Sequence, residues 1–501
     1  MDPSYKARKE AFVSNLAGGT ILEINAVSLV APASIFVWSV LQSRLSFFTP
    51  YSPAALVADF FLNVLGILFA TTVYSSAPWV LNLLLISPAV LLLFNQPSFR
   101  AQQKAKPPRA STVGKDASKQ PPSESSSSLP IHPFLTTYRG AMMIITCIAI
   151  LAVDFRIFPR RFAKVENWGT SLMDLGVGSF VFSGGVVSAR SGLKRQSTNS
   201  TAKRTLAQRL ASSMRHSIPL LVLGLIRLYS VKGLDYAEHV TEYGVHWNFF
   251  FTLGLLPPFV EIFDALYALI PSYEILSLAI AVLYQVALES TDLKSYILVS
   301  PRGPDLLSKN REGIFSFLGY LAIFLCGRAT GMRVIPRGTS ASTPPSQARK
   351  NVLLSLAAQT LLWTGLFALN STYALGYGAN IPVSRRLANM PYVLWVSAFN
   401  NAQLLLFCLA ETLFFPSVHR ATGKDGERER TAFATSRIMA AFNRNGLALF
   451  LIANLLTGAV NLGFNTLDMS TAQAVGVLVG YAAVVTGVAV GLDCADVKLT
   501  L

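Results

Sequence analysis

Long apolar blocks separated by short polar segments recur along the whole chain. About 13 blocks can be marked, most of them roughly 17–24 residues long, which suits a helix that crosses a bilayer. They lie at residues 20–41, 54–74, 78–95, 138–154, 168–189, 217–231, 247–267, 270–290, 313–329, 351–376, 391–414, 446–463 and 472–492. Since lipid cannot satisfy backbone hydrogen bonds, such blocks predict α-helices. The pattern predicts an all-α fold, a polytopic transmembrane helix bundle with about 13 spanning helices.

Three polar segments interrupt an otherwise continuous integral-membrane unit, residues 1–501. Residues 96–131 are rich in Ser, Pro and Lys, a composition that predicts a disordered linker. Residues 190–213 form a basic segment and residues 415–437 a charged one, and we expect both to be loops.

The basic residues predict the orientation of the bundle. The net charge is +16, and Lys and Arg concentrate in the connections that contain these three segments. Connections rich in Lys and Arg stay in the cytosol. We therefore expect a cytosolic C-terminus and a luminal N-terminus. The 154–168, 231–248 and 376–390 connections share the luminal side in this arrangement.

Composition excludes several classes of protein. The chain is 52% hydrophobic and only 14% charged, so the positive charge is explained by membrane topology and predicts no nucleic-acid partner. The four cysteines lie far apart and form no CxxC pair, and the five histidines lack metal-ligand spacing. We expect neither a structural metal nor a disulfide framework.

The stretch VDFRIFPRRFAKVENWG (153–169) gathers ionisable side chains where an apolar block ends. A partly desolvated Asp154 carboxylate is a candidate general base for a hydroxyl, and Lys164 a candidate for stabilising an oxyanion. Arg160 and Arg161 are candidate phosphate ligands. The alternative is an interfacial anchor whose basic side chains snorkel to lipid headgroups.

A second candidate lies in the stretch His246-Trp247-Asn248. Imidazole titrates near neutrality, so His246 is a competing general base. The same residues could instead cap the following helix and join an aromatic belt.

Ionisable residues inside the apolar blocks need partners because an unpaired charge near the bilayer centre costs at least about 2.5 kcal/mol. Asp59 and Asp174 are such residues, and Arg227 is a candidate partner for either. Glycines in GVGSFVFSGG (176–185) predict close helix packing.

Four separated blocks resemble one known family, in order and over nearly the whole chain. They are YKARKEAFVSNLAGGTILEINAV, VDFRIFPRRFAKVENWGTSLMDLGVGSFVFSGG, EYGVHWNFFFTLGLLP and FNRNGLALFLIANLLTGAVNL. The family is the inositol acyltransferase of glycosylphosphatidylinositol (GPI)-anchor synthesis, known in fungi as the GPI-anchored wall transfer protein.

The resemblance implies a multi-pass enzyme of the endoplasmic reticulum membrane. Such an enzyme transfers a palmitoyl group from acyl-CoA to the inositol ring of glucosaminyl-phosphatidylinositol. It implies palmitoyl-CoA, that glycolipid and membrane lipids as partners, and no cofactor beyond acyl-CoA as co-substrate. The family's catalytic Asp and Lys fall on Asp154 and Lys164.

We expect the remaining candidates to bind substrate; they are Arg160, Arg161, Trp168, His246, Trp247 and Asn248. An apolar groove for the acyl chain is expected between the fourth, fifth and seventh predicted helices, because their ends supply these polar residues.

Three other functions remain open from the residues. A lipid transporter or flippase would also have many helices with intramembrane charges, although no inverted repeat is visible. A non-catalytic scaffold of the same pathway is a second alternative. A third is a membrane-bound O-acyltransferase that uses His246 as its base.

Overall fold

Helices make up nearly all of the chain that the computed structural model describes, namely residues 3–95, 129–197, 205–232, 240–336, 344–372, 377–420 and 424–499. In chain order they are α1 Pro3–Val13, α2 Ile21–Ser28, α3 Val30–Leu45, α4 Pro53–Phe60, α5 Gly66–Thr71, α6 Pro78–Asn95, α7 Pro133–Ala152, α8 Leu172–Ser197, α9 Leu206–Lys232, α10 Val240–Tyr243, α11 Phe249–Leu266, α12 Tyr273–Ser290, α13 Leu293–Leu298, α14 Leu306–Lys309, α15 Arg311–Val334, α16 Pro345–Ser371, α17 Met390–Phe414, α18 Lys424–Phe433, α19 Arg437–Arg444, α20 Gly446–Gly463 and α21 Thr471–Cys494.

Eleven helical segments within these ranges are long and apolar enough to cross a membrane. The first combines α2 and α3, and the second joins α4 and α5 through a π-helical turn, Phe61–Leu65. The others are α7, α8, α11, α12, α15, α16, α17, α20 and α21. The predicted all-α polytopic bundle is confirmed.

The count of about 13 spanning helices is not confirmed. Two of the predicted blocks form helices that fall outside the eleven. The apolar part of α6 is shorter, ending at Phe94, and α9 carries Arg209, Arg215 and Arg227 along its length. The predicted blocks 247–267 and 270–290 are separate helices, α11 and α12, and α11 runs through Pro257 and Pro258 without a break.

Two predicted loops are largely helical. Within 190–213, α8 continues to Ser197 and α9 begins at Leu206. Arg195 in the last turns of α8 is held by Glu261 and Asp264 of α11, each at 2.8 Å, so ion pairs support the helix beyond its apolar part. Within 415–437, a 3-10 turn, α18 and the start of α19 replace the loop. Residues 96–128 of the predicted linker lie outside the described residues.

Helices α8 and α15 pack through glycines. A Cβ on Gly185 would lie 2.1 Å from the carbonyl oxygen of Phe324, and one on Gly327 would lie 2.1 Å from that of Phe182. A Cβ on Gly331 would lie 2.4 Å from the Val186 oxygen. The two backbones therefore touch, which only glycine permits, as predicted for the glycine-rich stretch.

The connections sort to the two ends of the bundle as the alternation of helices predicts. At one end the N-terminal segment pairs with the connection after α7, Gly19 with Thr170, and Gly169 donates its N–H to the Val383 carbonyl at 2.9 Å. At the other end Gln42 donates to the Phe433 carbonyl at 3.2 Å. We call the first end, with residues 153–171 and 377–389, the loop end.

The sequence offered Arg227 as a candidate partner for Asp59, but other side chains bind this carboxylate in the structure. The fully buried Asp59 carboxylate accepts hydrogen bonds from Tyr51 at 2.9 Å, Asn63 at 2.6 Å and Ser436 at 2.8 Å. Asp59 lies with Ser436, away from the loop end. Arg227 of α9 lies near the loop end, where its charge acts on Glu242. Neutral donors therefore satisfy this carboxylate.

We predict that Gly327→Ala destabilises the protein by about 1–3 kcal/mol, because the added methyl meets backbone and the two helices must separate. Thermal unfolding in detergent, followed by intrinsic fluorescence, measures the loss. Gly487→Ala in α21 is the matched control, since a Cβ there meets nothing within 4 Å. Equal unfolding temperatures for the two variants would contradict close α8–α15 packing.

Candidate active site

The connection after α7 forms a rigid turn that fixes Asp154 at the helix end. Phe155, Phe158 and Phe162 are fully buried in it. One guanidinium nitrogen of Arg160, Nη2, donates to the Val153 carbonyl at 2.8 Å, and also to those of Phe155 at 3.1 Å and Phe158 at 2.8 Å. Arg160 thereby ties the end of α7 to the turn that follows it.

The rest of the Arg160 guanidinium is enclosed by the protein, which closes it to a substrate phosphate. Its guanidinium carbon lies 3.7 Å from the ring centroid of Phe12, and Nε and Nη1 are buried with no hydrogen-bond partner among the described residues. Burial lowers the pKa of Arg160 to about 10, although the negative charge of Asp154 acts to raise it. Its visible role is to close the turn.

Asp154 is nearly buried and has two polar neighbours from other parts of the chain. Asn461 near the end of α20 donates from Nδ2 to Oδ2 of Asp154 at 2.8 Å. The ammonium of Lys9 in α1 lies 3.6 Å from the other carboxylate oxygen, Oδ1. The Asp154 side chain is 12% exposed, so a small opening connects it to the surface.

Lys164 is held by a different carboxylate. Its Nζ donates to Oε1 of Glu242 at 2.5 Å, and the Lys164 side chain is 37% exposed. Burial alone opposes ionisation of Glu242, but the charges of Lys164 and Arg385 outweigh it and lower the pKa of Glu242 to about 2. Glu242 is therefore an anion at neutral pH.

Asp154 and Lys164 lie in one connection without being paired. No ion pair joins them in the part of the chain that the structure describes, where Asp154 contacts Lys9 and Lys164 contacts Glu242. The site has two lysines and two carboxylates in separate pairs. A substrate that reaches both pairs would meet a carboxylate from one and an ammonium from the other.

Buried arginines of the 377–389 connection support this end of the bundle. Arg385 donates from Nε to Oδ1 of Asp174 at 2.6 Å, and Arg386 contacts Glu312 at 3.1 Å. The hypothesis that Asp174 pairs with Arg227 is therefore wrong; Arg385 lies closer in the fold. Asp174 also accepts the Val165 backbone N–H at 3.1 Å, which anchors the residue next to Lys164.

Two further candidates lie apart from Asp154. Arg161 donates from Nε to Glu23 at 2.7 Å and from Nη2 to the Ser75 carbonyl at 3.3 Å, and 39% of its side chain is exposed. Trp168 packs against a separate apolar cluster formed by Tyr284, Leu288, Ile297 and Leu387. Arg161 can still reach a ligand, whereas Trp168 has an evident packing role.

The His246-Trp247-Asn248 stretch begins α11 and is held there by its backbone. Asn248 caps the helix by accepting the Phe250 N–H at 3.1 Å, and the backbone N–H groups of His246 and Trp247 donate to Asn310 at 2.8 and 2.9 Å. The Trp247 indole donates to Thr252 at 2.9 Å. Asn248 thus has the capping role that the sequence left open.

A small cleft of about 40 Å³ opens between α3, α7, α8 and α17. Ile145 and Thr146 of α7, Gly176 of α8, and Phe399 and Asn400 of α17 are among its lining residues. The fourth and fifth predicted helices, α7 and α8, line this cleft, and the seventh, α11, does not. The cleft is too small for an acyl chain, so the expected groove between the fourth, fifth and seventh predicted helices stays a prediction.

Sequence reasoning missed the partners of both candidates, namely Lys9, Asn461 and Glu242. Each stands in a stretch that the sequence marks as unusual, but nothing in its spacing points to Asp154 or Lys164. Asn461 offered the best signal, because a polar amide in an apolar helix needs a hydrogen-bond partner.

Comparisons with known proteins agree over the whole chain. The family model described as GWT1 matches residues 5–492. A protein of Aspergillus oryzae named GPI-anchored wall transfer protein 1 is 77% identical over 501 residues, with 100% of both chains covered. Namesakes from Aspergillus fumigatus and Candida albicans are 75% and 40% identical, covering 100% of this chain and 99% and 100% of their own. This chain therefore belongs to the GWT1 family, which it matches over nearly its whole length.

Proposed function

We propose that this protein is an inositol acyltransferase of GPI-anchor biosynthesis in the endoplasmic reticulum membrane. It transfers a palmitoyl group from acyl-CoA to the inositol 2-hydroxyl of glucosaminyl-phosphatidylinositol. The name that its relatives carry, GPI-anchored wall transfer protein 1, supports a role in this pathway. The observation that carries the reaction type is the nearly buried Asp154 carboxylate, held at a helix end beside the aqueous boundary.

Asp154 is the general base of the proposed reaction. Its carboxylate accepts the proton of the inositol 2-hydroxyl while the hydroxyl oxygen attacks the thioester carbonyl carbon. The tetrahedral intermediate then breaks the carbon–sulfur bond, which forms the inositol ester. The proton held by Asp154 passes to the departing CoA thiolate. The hydrogen bond from Asn461 fixes the carboxylate for this transfer.

Lys164 stabilises the negative oxygen of the tetrahedral intermediate. Its ammonium is partly exposed and bound to a single carboxylate, so it can turn toward a new anion. Arg161 is the better placed of the two candidate phosphate ligands because much of its guanidinium side chain is accessible. Arg160, in contrast, supports the turn that holds Asp154.

Lipid chains reach this connection, in the proposed reaction, sideways from the bilayer beside α7 and α8, the two helices that residues 153–171 join. Both helices line the small cleft. The polar ends of the lipids stay at the surface. With the N-terminus luminal and the C-terminus cytosolic, the site faces the lumen.

Replacing Asp154 by Asn tests the proposed base. We expect purified Asp154→Asn protein in detergent to lose roughly 1,000-fold in kcat for transfer from palmitoyl-CoA to a glucosaminyl-phosphatidylinositol analogue, or about 4 kcal/mol of barrier. The asparagine keeps the size of the side chain but cannot accept the proton. A variant that folds and transfers at the wild-type rate would exclude Asp154 as the base. A wild-type protein that transfers nothing would favour the scaffold or transporter alternatives.

Replacing His246 by Ala separates this reaction from a histidine-dependent acyl transfer. We expect at most a threefold loss of kcat, because the proposed base is Asp154 and not His246. The same assay measures it, with Asp154→Asn alongside. An inactive His246→Ala protein together with an active Asp154→Asn protein would reverse the assignment.

The ion pair of Lys164 gives a prediction for stability against pH. Because the folded-state pKa of Glu242 is lowered to about 2 from its usual 4.5, the pair contributes stability above pH 4.5. That contribution falls as the pH drops from 4.5 toward 2. The difference in unfolding temperature between wild type and Glu242→Gln should be constant at neutral pH and should shrink toward pH 3. A difference that grows on acidification would contradict the assignment.

A further inference from the structure

Helix α1 lies across the ends of α7 and α20 and is anchored at several points. The Tyr5 hydroxyl contacts the Thr466 hydroxyl at 3.4 Å, and Arg8 pairs with Asp468. Phe12 covers the guanidinium of Arg160. A backbone hydrogen bond from Glu166 to the Leu16 carbonyl, at 3.0 Å, joins the segment after α1 to the same connection. The N-terminal helix is therefore part of the wall around Asp154.

Lys9 reaches from this helix to Asp154 and Asn461 at once. Its Nζ donates to Oδ1 of Asn461 at 2.7 Å and lies 3.6 Å from Oδ1 of Asp154. Asn461 in turn donates from Nδ2 to Oδ2 of Asp154 at 2.8 Å. The three side chains close a triangle in which each contacts the other two. Both carboxylate oxygens are thus oriented by groups that are distant in sequence.

We propose that Lys9 and Asn461 are positioning residues for the Asp154 base, an inference that rests on the proposed acyltransferase function. Asn461 holds one carboxylate oxygen by a neutral hydrogen bond. The Lys9 ammonium orients Asn461 through its amide oxygen and lies 3.6 Å from the other carboxylate oxygen of Asp154. Neither residue takes part in bond formation. They keep the Asp154 carboxylate in the orientation that proton abstraction needs.

The two lysines of the site therefore have different tasks. Lys164 contacts Glu242 and is free to turn toward the reacting carbonyl, whereas Lys9 is the lysine that contacts Asp154. The charged groups around Asp154 are Lys9 from α1 and Arg160 from its own connection, with the uncharged Asn461 from α20. Arg160 is bound to backbone carbonyls, so Lys9 supplies the nearest mobile positive charge.

A purely structural role is the competing explanation, because Lys9 also helps to dock α1. Arg8 provides a matched control: it is the preceding residue on the same helix, it makes its own ion pair with Asp468, and it does not contact Asp154. Removing Arg8 weakens the docking of α1 without removing the contact to Asp154. An effect of docking alone would appear equally in both variants.

The experiment measures kcat and KM for acyl transfer from palmitoyl-CoA to a glucosaminyl-phosphatidylinositol analogue, using full-length protein in detergent. We expect Lys9→Met to lower kcat by about 30-fold with KM changed less than about threefold, because the base is impaired and substrate binding is not. Lys9→Arg, which keeps the charge, should stay within about threefold of wild type. Arg8→Met should do the same.

A second variant guards against misfolding of Lys9→Met. Lys9→Gln retains a donor for Asn461 but has no charge, so it should fold like wild type and still lower kcat. Asn461→Leu should also lower kcat more than it raises KM.

A double-mutant cycle identifies the target of Lys9. Because Lys9 acts through Asp154, Lys9→Met should reduce activity no further once Asp154→Asn is present. Multiplicative losses, or equal losses in Lys9→Met and Arg8→Met, would overturn the inference and leave a docking role. If Asp154→Asn is inactive while Lys9→Met and Lys9→Gln match wild type, the inference alone fails. If wild type is inactive, or Asp154→Asn is fully active, the proposed function fails as well.

Discussion

The buried ion pair between Asp174 and Arg385 holds the loop end of this bundle together. Asp174 begins α8, and Arg385 belongs to the connection before α17, so the pair joins segments more than 200 residues apart in sequence. The same carboxylate accepts the Val165 N–H, and Arg385 also lies 3.3 Å from Glu242. Removing Arg385 would leave the buried Asp174 carboxylate without its opposite charge, which costs far more than losing an exposed pair. The positions of Lys164 and Glu242 both depend on it.

The apolar pattern predicted the helices because a bilayer leaves the backbone few alternatives. It also grouped the connections correctly at the two ends, since each crossing reverses the chain. Ion pairs were harder to predict. The helical part of 190–213 depends on Arg195 meeting Glu261 and Asp264, and such a meeting of α8 with α11 is a property of the packed bundle. The pairing of Asp174 with Arg385 was missed for the same reason.

The candidate site was predictable as a place and not as a set of contacts. Ionisable residues crowded into 153–169 mark the connection because charge is costly beside lipid. Which of them face substrate depends on which are already paired within the protein. Arg160 looks like a phosphate ligand in the sequence, yet its Nη2 binds carbonyls at the end of α7 and its other two nitrogens are buried. A helix end needs such partners wherever water is excluded.

Asp154 and Lys164 are held by different partners, which bears on the proposed reaction. Lys9 and Asn461 hold Asp154, while Glu242 holds Lys164. Each group already contacts an opposite charge, so the attacking hydroxyl and the thioester must compete with that partner. Because the two pairs are separate, a substrate can engage one of them without breaking the other. The N-terminal helix, which carries Lys9, is then a component of the site although it precedes every membrane span.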